Sequence, residues 1–254
     1  MDAQPLLDPG SPLAWALASV LLAAAATNGA WLLQRRRRPL LPSDAQIGAA
    51  LGWLLKALFY GLPPVLAWRL GVLSPYYMGV SEPQWLTMAA VGAPLVAVIA
   101  GVLLFGWLVY RHTETAPGQP PSGVGRVLAT LRAPLDALFQ QWHWAFYRAL
   151  LIGWLANGAP VTALTTALAA EPLYWGSWLG MALAALEFGL NPFARNRLRT
   201  PGLQEAGLRT VALALATAAL FTLTRSFWLC LVCHLAVETI ITGWLPLRAA
   251  AEQA

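Results

Sequence analysis

Apolar residues fall in seven stretches, at about 13–33, 46–71, 85–110, 142–167, 173–190, 207–224 and 226–246, with the polar residues gathered between them. About 20 helical residues cross a hydrocarbon core roughly 30 Å thick, so each stretch predicts a membrane-spanning helix. Only helices and closed barrels satisfy their backbone groups in lipid, and these runs are too long for barrel strands. The expected fold is an all-α polytopic membrane protein, one bundle of about seven transmembrane helices. Pro63 and Pro64 predict a kink or an end in the second span.

One long polar connection, 112–124 (HTETAPGQPPSGV), separates three N-terminal helices (1–111) from a four-helix core at 125–247. From Arg126 to Gln141, the residues Val127, Leu128, Leu131, Leu135, Leu138 and Phe139 recur at near-helical spacing. This predicts an amphipathic helix lying on the cytoplasmic face ahead of the fourth span.

Composition agrees with the pattern: 58% of the residues are hydrophobic and 11% charged, against about 25% charged in a soluble domain. The net charge of +5 would suit nucleic acid, but the positions of the arginines exclude that class. Arg35 to Arg38 follow the first span. Arg111, Arg126 and Arg132 lie between the third and fourth, and Arg195, Arg197 and Arg199 between the fifth and sixth. Arg209 opens the sixth and Arg248 follows the last, while the alternate connections hold little beyond Arg69 and Arg225. This positive-inside alternation places the N-terminus outside and the C-terminus in the cytoplasm. The first ten residues carry Asp2 and Asp8 and no basic segment, so the first span reads as inserted N-terminus outward, not as a cleaved signal. The expected location is a bacterial cell (inner) membrane.

Within the apolar stretches only two side chains are acidic, Glu187 and Glu238. A carboxylate at the bilayer centre costs about 2.5–3.5 kcal/mol, so it is kept for a partner or for chemistry. Residues four apart share a helix face. His143 and Tyr147 therefore form one stripe, and Cys230, His234 and Glu238 another. The predicted topology brings His143, Glu187, His234 and Glu238 into the cytoplasmic half of the membrane on three helices. Structural readings stand beside the chemical one. Arg148 suits a clamp on a carboxylate or on carbonyl ends, Glu187 could pair with Arg195 or Arg197, and Asn157 suits helix–helix hydrogen bonding. The first three spans read as packing and anchoring, with Lys56 near enough to an end to snorkel. Cys230-Leu231-Val232-Cys233-His234 spells a haem-attachment pattern. Inside an apolar helix it leaves no room for haem, and the two cysteines read as buried small residues.

The C-terminal half, about 125–246, resembles the CPBP family of intramembrane proteases (CAAX-prenyl endoproteases and bacteriocin-processing or Abi proteins). That family carries E-E-x-x-x-R, F-x-x-x-H and H-x-x-x-N on three helices. His143-Trp144-Ala145-Phe146-Tyr147-Arg148 stands in the first place, with Arg148 retained. Leu183 to Glu187, followed by Asn191, stands in the second, and His234 to Glu238 in the third. The family's Glu and His are exchanged between helices, His143 for Glu and Glu187 for His. The resemblance implies hydrolysis of a peptide bond of a membrane-anchored substrate by an activated water. Glu187 would be the base, with His143 and His234 positioning the water and stabilising the oxyanion. Glu238 would orient His234, with Arg148, Tyr147 and Asn191 supporting. A divalent metal such as zinc, held by the His and Glu side chains, is a second route. The competing classes are a catalytically silent membrane scaffold or partner protein, and a proton-coupled carrier, since intramembrane Glu and His also form proton relays.

Overall fold

The computed structural model describes residues 10–36, 42–81, 85–113, 124–157, 159, 162–200 and 203–241. Among these residues the regular structure is helical, with no strand. In chain order the helices are α1 (Pro12–Arg36), α2 (Pro42–Arg69), α3 (Pro75–Met78), α4 (Trp85–Thr113) and α5 (Val124–Asn157). There follow α6 (Ala163–Ala169), α7 (Pro172–Leu190), α8 (Pro192–Arg199), α9 (Gln204–Thr224) and α10 (Phe227–Thr239).

Among the described residues three helices are long and apolar enough to cross a membrane: Pro12–Arg35 of α1, Thr87–Tyr110 of α4, and α9, Gln204–Thr224. Their outer faces leave Leu21, Phe105 and Leu223 at least 65% exposed. Apolar side chains presented in this way on long helices suit lipid, whereas a soluble monomer keeps such patches small.

The predicted surface helix and the fourth span are one continuous element, the 34-residue α5. The near-helical spacing before residue 141 runs on into the apolar stretch, and the helix continues through Pro134. α5 ends at Asn157, well short of 167, because Gly158 and Pro160 follow: glycine weakens a helix, and proline disfavours the helical conformation at the residue before it. The remainder of that stretch holds only the short α6, opened by a capping box between Thr162 and Thr165. α2 continues through Pro63 and Pro64 to Arg69, so the proline pair does not end it. A helix can pass through proline where neighbouring groups or local 3₁₀ and π adjustments satisfy the carbonyls left without an amide partner. The polar connection falls between the end of α4 at Thr113 and the start of α5 at Val124; residues 114–123 lie outside the described residues, as do 242–246 of the last stretch.

The chain divides into two compact units, each drawing on both sides of the polar connection: 1–78 with 142–199, and 79–141 with 200–254. In the first unit α1 packs on α2, α7 and α8, and α6 and α8 pack on α7. α7 meets α5 through Gly176 and Gly180. A Cβ on Gly176 would lie 2.6 Å from the Ile152 backbone, and one on Gly180 2.6 Å from that of Arg148. The register therefore falls by four on α5 as it rises by four on α7, which makes the helices antiparallel and backbone-close.

In the second unit α4, α9 and α10 pack against one another. Arg225, at φ 53°, closes α9 in the left-handed conformation, and Ser226 caps α10 by accepting from Leu229 N at 3.3 Å. Gly79, at φ 75°, lets its carbonyl accept from Phe227 N at 3.0 Å. A side chain there would collide with the Arg225 carbonyl.

Candidate active site

The close α5–α7 packing sets up the first cluster. Two turns beyond Gly180, Glu187 reaches across to the His143–Tyr147 stripe of α5. His143 Nε2 lies 2.8 Å from Glu187 Oε2, and Tyr147 Oη donates to the same oxygen at 2.5 Å. Tyr147 Oη also lies 3.2 Å from Ser19 Oγ of α1. His143 is 2% exposed and Tyr147 fully buried. The imidazole is boxed by rings, with centroids 4.5 Å away for Tyr147, 4.6 Å for Tyr60 and 5.2 Å for Phe59.

Two donors converging on one oxygen suit an ionised carboxylate. In a neutral imidazole that donates from Nε2 to a carboxylate, the lone pair is on Nδ1. His143 Nδ1 is buried and has no hydrogen-bond partner among the described residues. An imidazole fixed by a carboxylate on one nitrogen and open on the other is arranged to accept a proton.

The second unit holds its own polar groups. Gln141 Nε2 donates to His234 Nδ1 at 3.0 Å and lies 3.1 Å from Thr217 Oγ1. Gln141 and His234 are 0% and 1% exposed. Glu238 Oε1 accepts from Arg209 Nε at 2.9 Å, and Arg209 Nη1 lies 3.1 Å from Glu205 Oε1. That same Glu205 oxygen takes the Trp107 indole N–H at 2.6 Å. Here one guanidinium bridges two carboxylates.

Of the four expected reactive residues, His143 and Glu187 are bonded to each other in the first unit, while His234 and Glu238 have separate partners in the second. Glu187 is paired with neither Arg195 nor Arg197. Arg148, expected in support, is fully buried with its backbone against Gly180. Asn191 caps α8, its Oδ1 accepting from Phe193 N at 2.9 Å and Ala194 N at 3.4 Å, which accounts for it structurally. Asn157 Nδ2 reaches Tyr77 Oη at 3.5 Å. Cys230 and Cys233 are buried free thiols, and Cys230 Sγ donates to Thr217 O at 3.2 Å. Among the described residues no three His, Cys, Asp or Glu side chains are grouped to hold a metal ion, so these residues do not supply a three-ligand zinc site.

The N-terminal helices α1 and α2 supply more than the packing and anchoring expected of them. Ser19, Phe59 and Tyr60 touch the cluster, and nothing in their local sequence signals it. Gln141 and Thr217 were also missed; the only available hint was a polar residue at the margin of one apolar stretch and another inside a second. Comparison of the chain with protein-family models, curated proteins and solved structures returns no match.

Proposed function

We propose that this protein is an intramembrane endopeptidase of CPBP type, hydrolysing a peptide bond of a membrane-anchored substrate with a water activated at the His143–Glu187 pair. The observation that carries the reading is the 2.8 Å contact between His143 Nε2 and Glu187 Oε2, with Nδ1 left unpartnered. These are the two residues at which the family's Glu and His stand exchanged. The arrangement favours a different division of roles from the one the resemblance implies. Water gives a proton to His143 Nδ1 and the resulting hydroxide adds to the scissile carbonyl carbon. The proton then passes to the leaving amine nitrogen as the C–N bond breaks. Glu187 holds the ring in the required tautomer and stabilises the imidazolium, and Tyr147 holds Glu187. No step runs through a metal. Seven spans, an outer N-terminus, a cytoplasmic C-terminus and a bacterial inner membrane belong to the same proposal.

The test uses purified protein in detergent and a panel of quenched peptides carrying a lipid anchor. Cleavage that disappears in Glu187→Gln while the helical circular dichroism persists supports the reading; cleavage retained in that variant removes it. A second reading, a catalytically silent membrane scaffold, draws on the ring packing that closes around His143. In that case substitutions at His143 and Glu187 lower thermal stability and leave association with partner proteins intact.

A further inference from the structure

The proposed chemistry leaves unused the charge gathered where α1, α7 and α8 meet. α8 buries Pro192 and Ala194 and exposes Arg195, Arg197 and Arg199. It contains no acidic residue, and these three arginines form no ion pair among the described residues. The helix is fixed at the end of α1. Trp31 packs edge-on against Phe193 at 5.0 Å, the Arg35 guanidinium lies 5.1 Å over the Trp31 ring, and Asn28 Nδ2 donates to Leu190 O at 3.1 Å. Pro12–Arg35 is long and apolar enough to cross a bilayer, so its last turn, and the α8 docked beside it, fall at headgroup depth. Tryptophan next to arginine at such a boundary is the usual interfacial anchor.

We infer that α8, with Arg35, forms a binding surface for the headgroups of anionic phospholipids. Guanidinium groups bind phosphate oxygens through paired N–H donors. Uncompensated arginines beside a membrane helix meet lipid phosphate before any other abundant anion. The inference rests on α1 crossing the bilayer and is independent of the peptidase reading.

The experiment titrates the purified full chain, in neutral detergent, with tail-labelled phosphatidylglycerol and with phosphatidylcholine bearing the same tails, reading fluorescence anisotropy. From roughly fivefold per arginine, phosphatidylglycerol should bind at least about tenfold tighter. That preference should vanish in the triple variant Arg195→Gln, Arg197→Gln, Arg199→Gln and persist in Arg69→Gln. High salt should abolish it in the unaltered protein, because exposed charges are screened. Equal binding of the two lipids, or an undiminished preference in the triple variant, would overturn the inference. Displacement of the label by inorganic phosphate as readily as by phosphatidylglycerol would overturn it in favour of a free-anion site. Should the triple variant fail to fold, the salt titration decides: a preference indifferent to salt excludes the arginines.

Discussion

Two histidines, one in each unit, are buried almost equally, His143 at 2% and His234 at 1% exposure, yet their ring nitrogens meet different partners. His234 Nδ1 is occupied by the amide of Gln141, whereas His143 Nδ1 has no partner and Glu187 holds the other nitrogen. Burial alone therefore does not identify a reactive imidazole. What separates the two is the group that takes each nitrogen. A carboxylate leaves the ring able to accept a proton on its far side; an amide donor on Nδ1 uses that lone pair.

The largest effect should appear when this contrast is tested by activity. General acid–base groups contribute about 10²–10⁴ in rate, so His143→Ala and Glu187→Gln should each lower cleavage by that factor. His234→Ala should reduce cleavage per folded molecule far less. It should instead lower stability by about 1–3 kcal/mol, the cost of leaving one buried amide hydrogen of Gln141 without an acceptor while the other keeps Thr217. Rates and melting curves on the three variants check both halves. If His234→Ala matched His143→Ala in lost turnover, the division of roles drawn from the two rings would be wrong.

Next in size is the charge network of the second unit. Arg209→Met removes the guanidinium shared by Glu205 and Glu238, whose side chains are 23% and 15% exposed. Removing one partner of a buried ion pair costs about 3–5 kcal/mol, and partial exposure reduces this to roughly 2–3 kcal/mol. Adding Glu238→Gln should recover about half of the loss, because one of the two carboxylates deprived of the guanidinium is then neutral. Denaturation in detergent measures both. A double variant no more stable than Arg209→Met would show that the Glu238 contact carries little.

Helices are legible in the sequence because apolar run length alone predicts them, and the predicted topology sets His143 and Glu187 at similar depth without pairing them. Spacing assigns a residue to a face of its own helix but does not say which helix lies opposite. Ser19 is 128 positions from Tyr147, and no local pattern links them. Gln141 was hidden for another reason: it sits where the expected surface helix was to end and the fourth span to begin. Once α5 runs through that point, the residue lies inside a continuous helix and is fully buried. Asn191 caps α8, and a polar residue just past an apolar run looks the same in sequence whether it serves a site or caps the next helix.

The α5–α7 packing that brings the first cluster together can be weakened through its glycines, with a built-in control on the same helix. Gly180→Ala places a methyl group against the Arg148 backbone, and overpacking of this kind costs about 1–3 kcal/mol. Gly189 has open space around its Cβ position, so Gly189→Ala should stabilise by up to about 1 kcal/mol through helix propensity. Gly180→Ala should also slow cleavage, since it pushes Glu187 away from His143, while Gly189→Ala should not. Equal responses from the two sites would mean that close approach at Gly180 does not set the geometry of the pair.

The smallest expected change tests how far support for the pair extends. Tyr147 has a single hydroxyl proton, and it goes to Glu187 at 2.5 Å. The 3.2 Å contact with Ser19 is then one in which Ser19 donates. Ser19→Ala removes a donor to the phenol oxygen without touching the carboxylate, so the stability loss should be near the ordinary 0.5–1.5 kcal/mol of a neutral hydrogen bond, at about its lower end. Tyr147→Phe removes a hydrogen bond to the carboxylate and should cost more, about 1.5–3 kcal/mol. In the double variant the Ser19 effect should disappear, because its acceptor is absent. A Ser19→Ala loss that persists on the Tyr147→Phe background would mean that Ser19 stabilises α1 for another reason, and the chain of contacts would then end at Tyr147.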